Sequence, residues 1–107
     1  MFMSCYKLEV YVPAIAAEAV KDAMFEAGAG KIGNYDRCCW ETAGTGQFRP
    51  LPGSNPYLGA EGETEQVNEL KLELICLDEH LAAVIAAMRS AHPYETPAFN
   101  YFKINTE

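Results

Sequence analysis

What most constrains this chain is a pattern that occurs twice: an alternating apolar and polar stretch, then apolar residues at helical spacing, then a further strand. Residues 5–12 read Cys-Tyr-Lys-Leu-Glu-Val-Tyr-Val. Tyr6, Leu8, Val10 and Val12 fall on one side and Cys5, Lys7, Glu9 and Tyr11 on the other, the period of two expected of a half-buried strand. Pro13 suits a first helical turn, where its missing N–H costs nothing, and Ile15, Ala16, Ala19, Val20, Ala23 and Ala27 follow at helical spacing up to Gly28. Tyr35–Glu41 supplies the next strand. In the second half, Leu70, Leu72, Leu74 and Cys76 alternate with Glu69, Lys71 and Glu73. Asp78 is then placed to cap a helix striped by Leu81, Val84, Ile85 and Met88, and Ala98–Ile104 alternates again.

Two β-α-β units predict an α+β fold, a ferredoxin-like split βαβ sandwich with an antiparallel sheet and two helices on one face. The opposite face then carries Lys7, Glu9, Tyr11, Glu69, Lys71 and Glu73, a mixed surface suited to water or to copies of itself. Between the halves, Ala43-Gly44-Thr45-Gly46 is a turn signal that predicts Gln47–Arg49 folded back as an extra hairpin. Residues 50–66, broken by proline and glycine, predict a long loop, which in a compact domain either carries function or shields a sheet edge.

The 107 residues suit one domain spanning 1–107, and a half-hydrophobic, one-fifth-charged composition is that of a packed soluble chain. A net charge of −7 argues against a nucleic-acid partner, which draws on clustered Lys and Arg. No apolar run is long enough for a membrane span, and Met1–Val12 alternates instead of forming a signal-peptide core, so a cytoplasmic address is expected. The spacing of Cys5, Cys38, Cys39 and Cys76 fits no zinc or redox template, which leaves free thiols. Cys38 and Cys39, as strand neighbours, point to opposite faces and do not chelate together.

Two joints carry the candidate chemistry. Gly28–Tyr35 is glycine-rich, but it runs from helix to strand, the reverse of the order that sets phosphate on a helix N-terminus, so it reads as a structural passage. His92-Pro93-Tyr94-Glu95-Thr96-Pro97 joins the second helix to the last strand. Its His92 and Glu95 are the metal candidates, and a divalent ion is the one cofactor class they suggest, although two ligands fall short of the three or four in a zinc site. The competing reading has His92 ending the helix and bonding to nearby backbone. A Cys–His92 nucleophile has no local support, His80 is expected to be solvated, and no catalytic residue is assigned. Trp40 and Phe48 are weighed as an aromatic ligand wall against ordinary cross-strand packing.

Taken in order, Gly28–Asp36, Gly44–Pro50, Gly53–Pro56, Glu69, and His92–Glu95 with Pro97-Ala98 resemble the YqfO-type insert domain of the Nif-three-like proteins across nearly the whole chain. The resemblance implies a CutA-like fold, similar to the trimeric ion-tolerance and PII-type signalling proteins. It also implies that the dinuclear-metal ligands of larger members lie in flanking domains, which His80 and His92 alone do not reproduce.

The expected function is a non-enzymatic regulatory or binding module. It is expected to be a homo-oligomer, a trimer by preference, that takes a small ligand or metal ion at inter-subunit clefts near His92, Tyr94, Glu95, Gly30, Asn34 and Tyr35. The alternatives are a structural oligomerisation or interaction domain, docking a protein through the 44–66 loop, and a metal-dependent hydrolase with its site shared between subunits. Neither nucleic acid nor membrane is an expected partner.

Overall fold

A computed structural model describes residues 3–106. Met1 and Phe2, on which part of the signal-peptide argument falls, lie outside the described residues, as does Glu107 at the end of the expected domain. The elements are β1 (Met3–Pro13), α1 (Ala17–Glu26), β2 (Trp40–Phe48), β3 (Glu65–Leu77), α2 (Leu81–Ala91) and β4 (Phe99–Thr106). The four strands form one antiparallel sheet in the order β2-β3-β1-β4. β1 and β2 thus run the same way with β3 between them, the split βαβ arrangement that the doubled pattern predicts.

Registers follow the alternation. Leu8 stands opposite Leu74, Val10 opposite Leu72 and Val12 opposite Leu70. The first two of these pairs and Val12 are buried, and they pack with Ala17, Val20 and Met24 of α1 and Val84 and Met88 of α2. The other face places Lys7, Glu9 and Tyr11 in line with Glu73, Lys71, Asn100 and Phe102, where Lys71 pairs with Glu9 at 3.3 Å and Asn100 donates to Glu9 at 3.0 Å. These contacts hold the Glu9 carboxyl below its usual range, the Asn100 hydrogen bond contributing most. Along β1, Tyr6 is only half-buried on the helix side, whereas Cys5 is buried on the other.

Several sequence expectations are corrected. Residues 35–39 are not a strand: Ile32 and Tyr35 bridge in a tight turn, Arg37 takes φ 56°, and regular pairing starts only at Trp40. Gly44–Gly46 is not a turn either, because β2 runs straight through it beside Val67–Glu69, and the hairpin is β2–β3 itself, closed by residues 49–64. Helix one does not begin at Pro13. Pro13 ends β1, residues 14–16 form one tight 3-10 turn, and that turn's different period leaves Ile15 87% exposed instead of on the apolar stripe. Asp78 opens a similar turn before α2 and its side chain makes no capping hydrogen bond. The four cysteines are free thiols, as expected, with Cys5 and Cys76 buried. No helix among the described residues is long and apolar enough to cross a membrane.

Candidate functional site

His92 ends α2 because Pro93 disfavours helical geometry in the residue before it, and its φ/ψ of −73°/133° are extended. The ring then turns inward and is 6% exposed. Nε2–H donates to the Tyr11 carbonyl at 2.8 Å, and Nδ1 accepts the Tyr94 backbone N–H at 3.1 Å, a pair of contacts that selects the Nε2–H tautomer. Burial lowers the His92 pKa below its usual value, only partly offset by the Tyr11 hydrogen bond and by Glu69. The imidazole is therefore neutral and spends both nitrogens on backbone. That geometry ties the corner to β1 and to Tyr94, and a metal on either nitrogen would have to replace one of the two bonds.

From this corner Tyr94 reaches across the sheet to β3, and its hydroxyl donates to Glu69 Oε2 at 2.9 Å. Glu69 has room to receive it because β2 passes with glycine at that point: a Cβ on Gly46 would collide with the Glu69 carboxylate. The Gly-Thr-Gly signal thus marks a close approach within a strand and not a turn. Burial first, and then the bond to Glu69, push the Tyr94 phenol upward, so it stays a neutral donor.

The 49–64 loop closes over these groups. Gly62 N–H donates to the Pro50 carbonyl at 2.9 Å across its neck, Ser54 Oγ donates to the Leu51 carbonyl at 2.7 Å, and Asn55 N–H donates to Glu95 Oε2 at 3.1 Å. Between loop and corner lies a cleft of about 250 Å³ lined by Gln47, Phe48, Tyr57, Glu69, Tyr94 and Glu95, with Pro50, Ser54, Pro56, Leu58, Thr96 and Ala98 around them. The Phe48 and Tyr57 rings stand 5.8 and 6.2 Å from that of Tyr94.

The six expected ligand residues do not form one site within a subunit. Tyr94 and Glu95 line the cleft and His92 supports them from behind. Gly30, Asn34 and Tyr35 sit at the other end of the sheet, where Gly30 N–H donates to the Ile75 carbonyl at 2.8 Å and Tyr35 is 75% exposed. Residues 69 and 75 are about 20 Å apart along β3 at ~3.3 Å per residue. Among the described residues no three of His, Cys, Asp and Glu converge as a metal cage. Of the two aromatic residues weighed as a ligand wall, Phe48 lines the cleft, while Trp40, at the other end of β2, is exposed. Glu69, Gln47 and Tyr57 were missed as site residues; a glycine in β2 near an acidic residue of β3 was the available signal for Glu69.

No family model matches the chain. Curated proteins named GTP cyclohydrolase 1 type 2 homolog do: that of Mycobacterium tuberculosis is 49% identical over 98 residues, covering 92% of this chain and 26% of its own length. That of Halalkalibacterium halodurans is 44% identical over 97% of this chain and 28% of its own. A Bacillus cereus protein related to NIF3 superposes with TM-score 0.82 at 38% identity, over 97% of this chain and 26% of that one. This chain is NIF3-like over one segment of those proteins. It spans about a quarter of their length. Its fold is CutA-like: CutA from Synechococcus elongatus matches with TM-score 0.68 at 19% identity, over 99% of this chain and 85% of that one. Divalent cation tolerance CutA from Archaeoglobus fulgidus matches with TM-score 0.64, over 94% and 83%. At such identities the NIF3-like chain shares an architecture with CutA, and its cleft has to be read from its own residues.

Proposed function

We propose that the NIF3-like segment is a non-enzymatic binding module, a single CutA-like domain that assembles as a homotrimer and binds a small ligand beside Tyr94 and Glu95. The observation that carries the assembly is the sheet face left bare by the helices. Trp40, Phe102 and Tyr11 project from it at 69%, 47% and 37% exposure, among the Lys71–Glu9 pair and Asn100. Aromatic residues spread over a flat, mixed-charge face suit a self-complementary contact. In a ring of subunits, the Gly30–Tyr35 turn of one copy would stand near the Tyr94–Glu95 corner of the next and reunite the two halves of the expected site. Light scattering on the purified chain tests this: a trimer mass is expected at micromolar concentration, and a monomer overturns it.

One observation favours a second reading. Leu51, Tyr57 and Leu58 are exposed on the 49–64 loop, so that loop offers apolar contacts to a different protein. The nucleotide chemistry in the name of the curated relatives belongs to proteins about four times as long, and among the described residues no group of three metal-ligating side chains supports it. If the enzyme reading held, GTP turnover by the chain with Zn²⁺ or Mn²⁺ would be measurable; none is expected.

A further inference from the structure

We propose that the cleft between the 49–64 loop and the Tyr94 corner takes a small organic cation, an amine or guanidinium on a short apolar body, held between Glu69 and Glu95 against the Tyr94 ring. This rests on the binding-module reading and narrows it to a ligand class. Size comes first: about 250 Å³ lies just below the roughly 300–1,000 Å³ of sites for drug-sized molecules, so the occupant is small.

The walls come second. Phe48, Tyr57 and Tyr94 bring three aromatic rings together with Pro50, Pro56 and Leu58, a lining that receives hydrocarbon. An aromatic face also attracts a cation within about 6 Å, more strongly where water is displaced.

Charge comes third. Among the described residues no Lys, Arg or His lies within ion-pair distance of either Glu69 or Glu95, while five other such pairs form elsewhere. What the carboxylates do have are neutral donors, the Tyr94 hydroxyl on Glu69 and the Asn55 N–H on Glu95, which orient them without cancelling their charge. The mixture sorts ligand classes. Anions are repelled. A neutral apolar molecule would strip water from the carboxylates and return nothing for it. A hard divalent ion needs six or more converging oxygens or retained waters, which an aromatic-lined cleft with no three-ligand cluster does not supply. A cation with an apolar body meets both parts of the lining.

Butylammonium and agmatine, titrated into the chain and followed by calorimetry and ¹⁵N amide shifts, test the inference, with n-butanol and ZnCl₂ as comparators. Saturable shifts are expected at Asn55, Tyr94 and Glu95 for the two cations, with n-butanol at least tenfold weaker. Glu69→Gln combined with Glu95→Gln should weaken cation binding by about tenfold or more, since hydrogen bonds to charged groups are the strong ones. The inference is overturned if n-butanol binds as well as butylammonium, if zinc displaces the cations from the same amides at lower concentration, if the double variant binds unchanged, or if no saturable shift develops in the millimolar range. Light scattering on the same samples separates the two claims. A trimer indifferent to the cations sinks the ligand class alone, whereas a monomer sinks the assembly whatever the cations do.

Discussion

At the scale of single residues, His92 shows how a chemically suggestive side chain becomes structural. Its ring is buried, neutral and bonded at both nitrogens, so protonation would turn the Nδ1 acceptor into a donor facing the Tyr94 N–H. The linkage has a definite sign. Burial depresses the folded-state pKa below the ordinary 6.5, so below pH 6.5 the unfolded chain binds more protons than the folded one. Stability is thus full above about pH 6.5 and declines as the pH falls from there through the folded value, with the nearby Glu69 carboxylate moderating the loss. Urea melts at pH 7.5 and 5.5 should show the decline. His92→Gln, which does not titrate, should lose about 1–3 kcal/mol at pH 7.5 for its broken hydrogen bonds and show a shallower pH slope. An unchanged slope would mean that other groups set the acid sensitivity. A second residue-scale contrast lies in the glycines. Gly30 has φ +81° and its added Cβ would press the Cys38 backbone carbonyl at 2.8 Å, so Gly30→Ala should cost about 1–3 kcal/mol. Gly44 has open space around it, and Gly44→Ala should be neutral within about 0.5 kcal/mol by the same melts.

At the scale of elements, β1 and β3 were legible because each buries one side, and burial enforces the period of two that the sequence displays; β4, an edge strand packed on the core mainly through Phe99, showed itself by the alternation of its residue types alone. β2 was not. It is an edge strand with both sides largely exposed, so its Trp-Glu-Thr-Ala-Gly-Thr-Gly-Gln-Phe run carries no such period and its glycines mimic a turn. The cleft was half legible: the hexapeptide announced Tyr94 and Glu95, but Glu69 and Tyr57 reach them only through the β2–β3 pairing and the closure of the loop, contacts of long sequence separation. The loop itself has a checkable role. Its neck is pinned by the Gly62–Pro50 hydrogen bond, and β2 and β3 are paired right up to Phe48 and Glu65. Replacing residues 49–64 by Asn-Gly, a two-residue turn directly between the paired Phe48 and Glu65, should leave the circular dichroism spectrum and the cooperative melt in place while abolishing ligand-induced amide shifts at Tyr94. Loss of cooperative folding would show instead that the loop belongs to the core's support.

At the scale of the whole molecule, the helices cover one side of the sheet and the chain's only tryptophan stands on the other. Trp40 lies opposite Glu73 at the edge strand, 69% exposed in a single subunit, so its fluorescence reports directly on whether that face is covered. In a trimer using this face the indole is desolvated, and its emission maximum lies toward the blue at high concentration and moves to the red on dilution, in step with the mass from light scattering. Phe102 stands on the same face at 47% exposure and is absent from the buried core, so Phe102→Ser leaves the subunit's packing intact. If the face is the interface, that substitution shifts the red transition to higher protein concentration, because apolar area lost from a contact weakens it by roughly 25 cal/mol per Å². The temperature of unfolding of the dissociated subunit should stay the same, which separates a weakened contact from a damaged fold. Emission that is red at every concentration, with a trimer still present, would place the contact on an edge strand or a loop and leave this face to water.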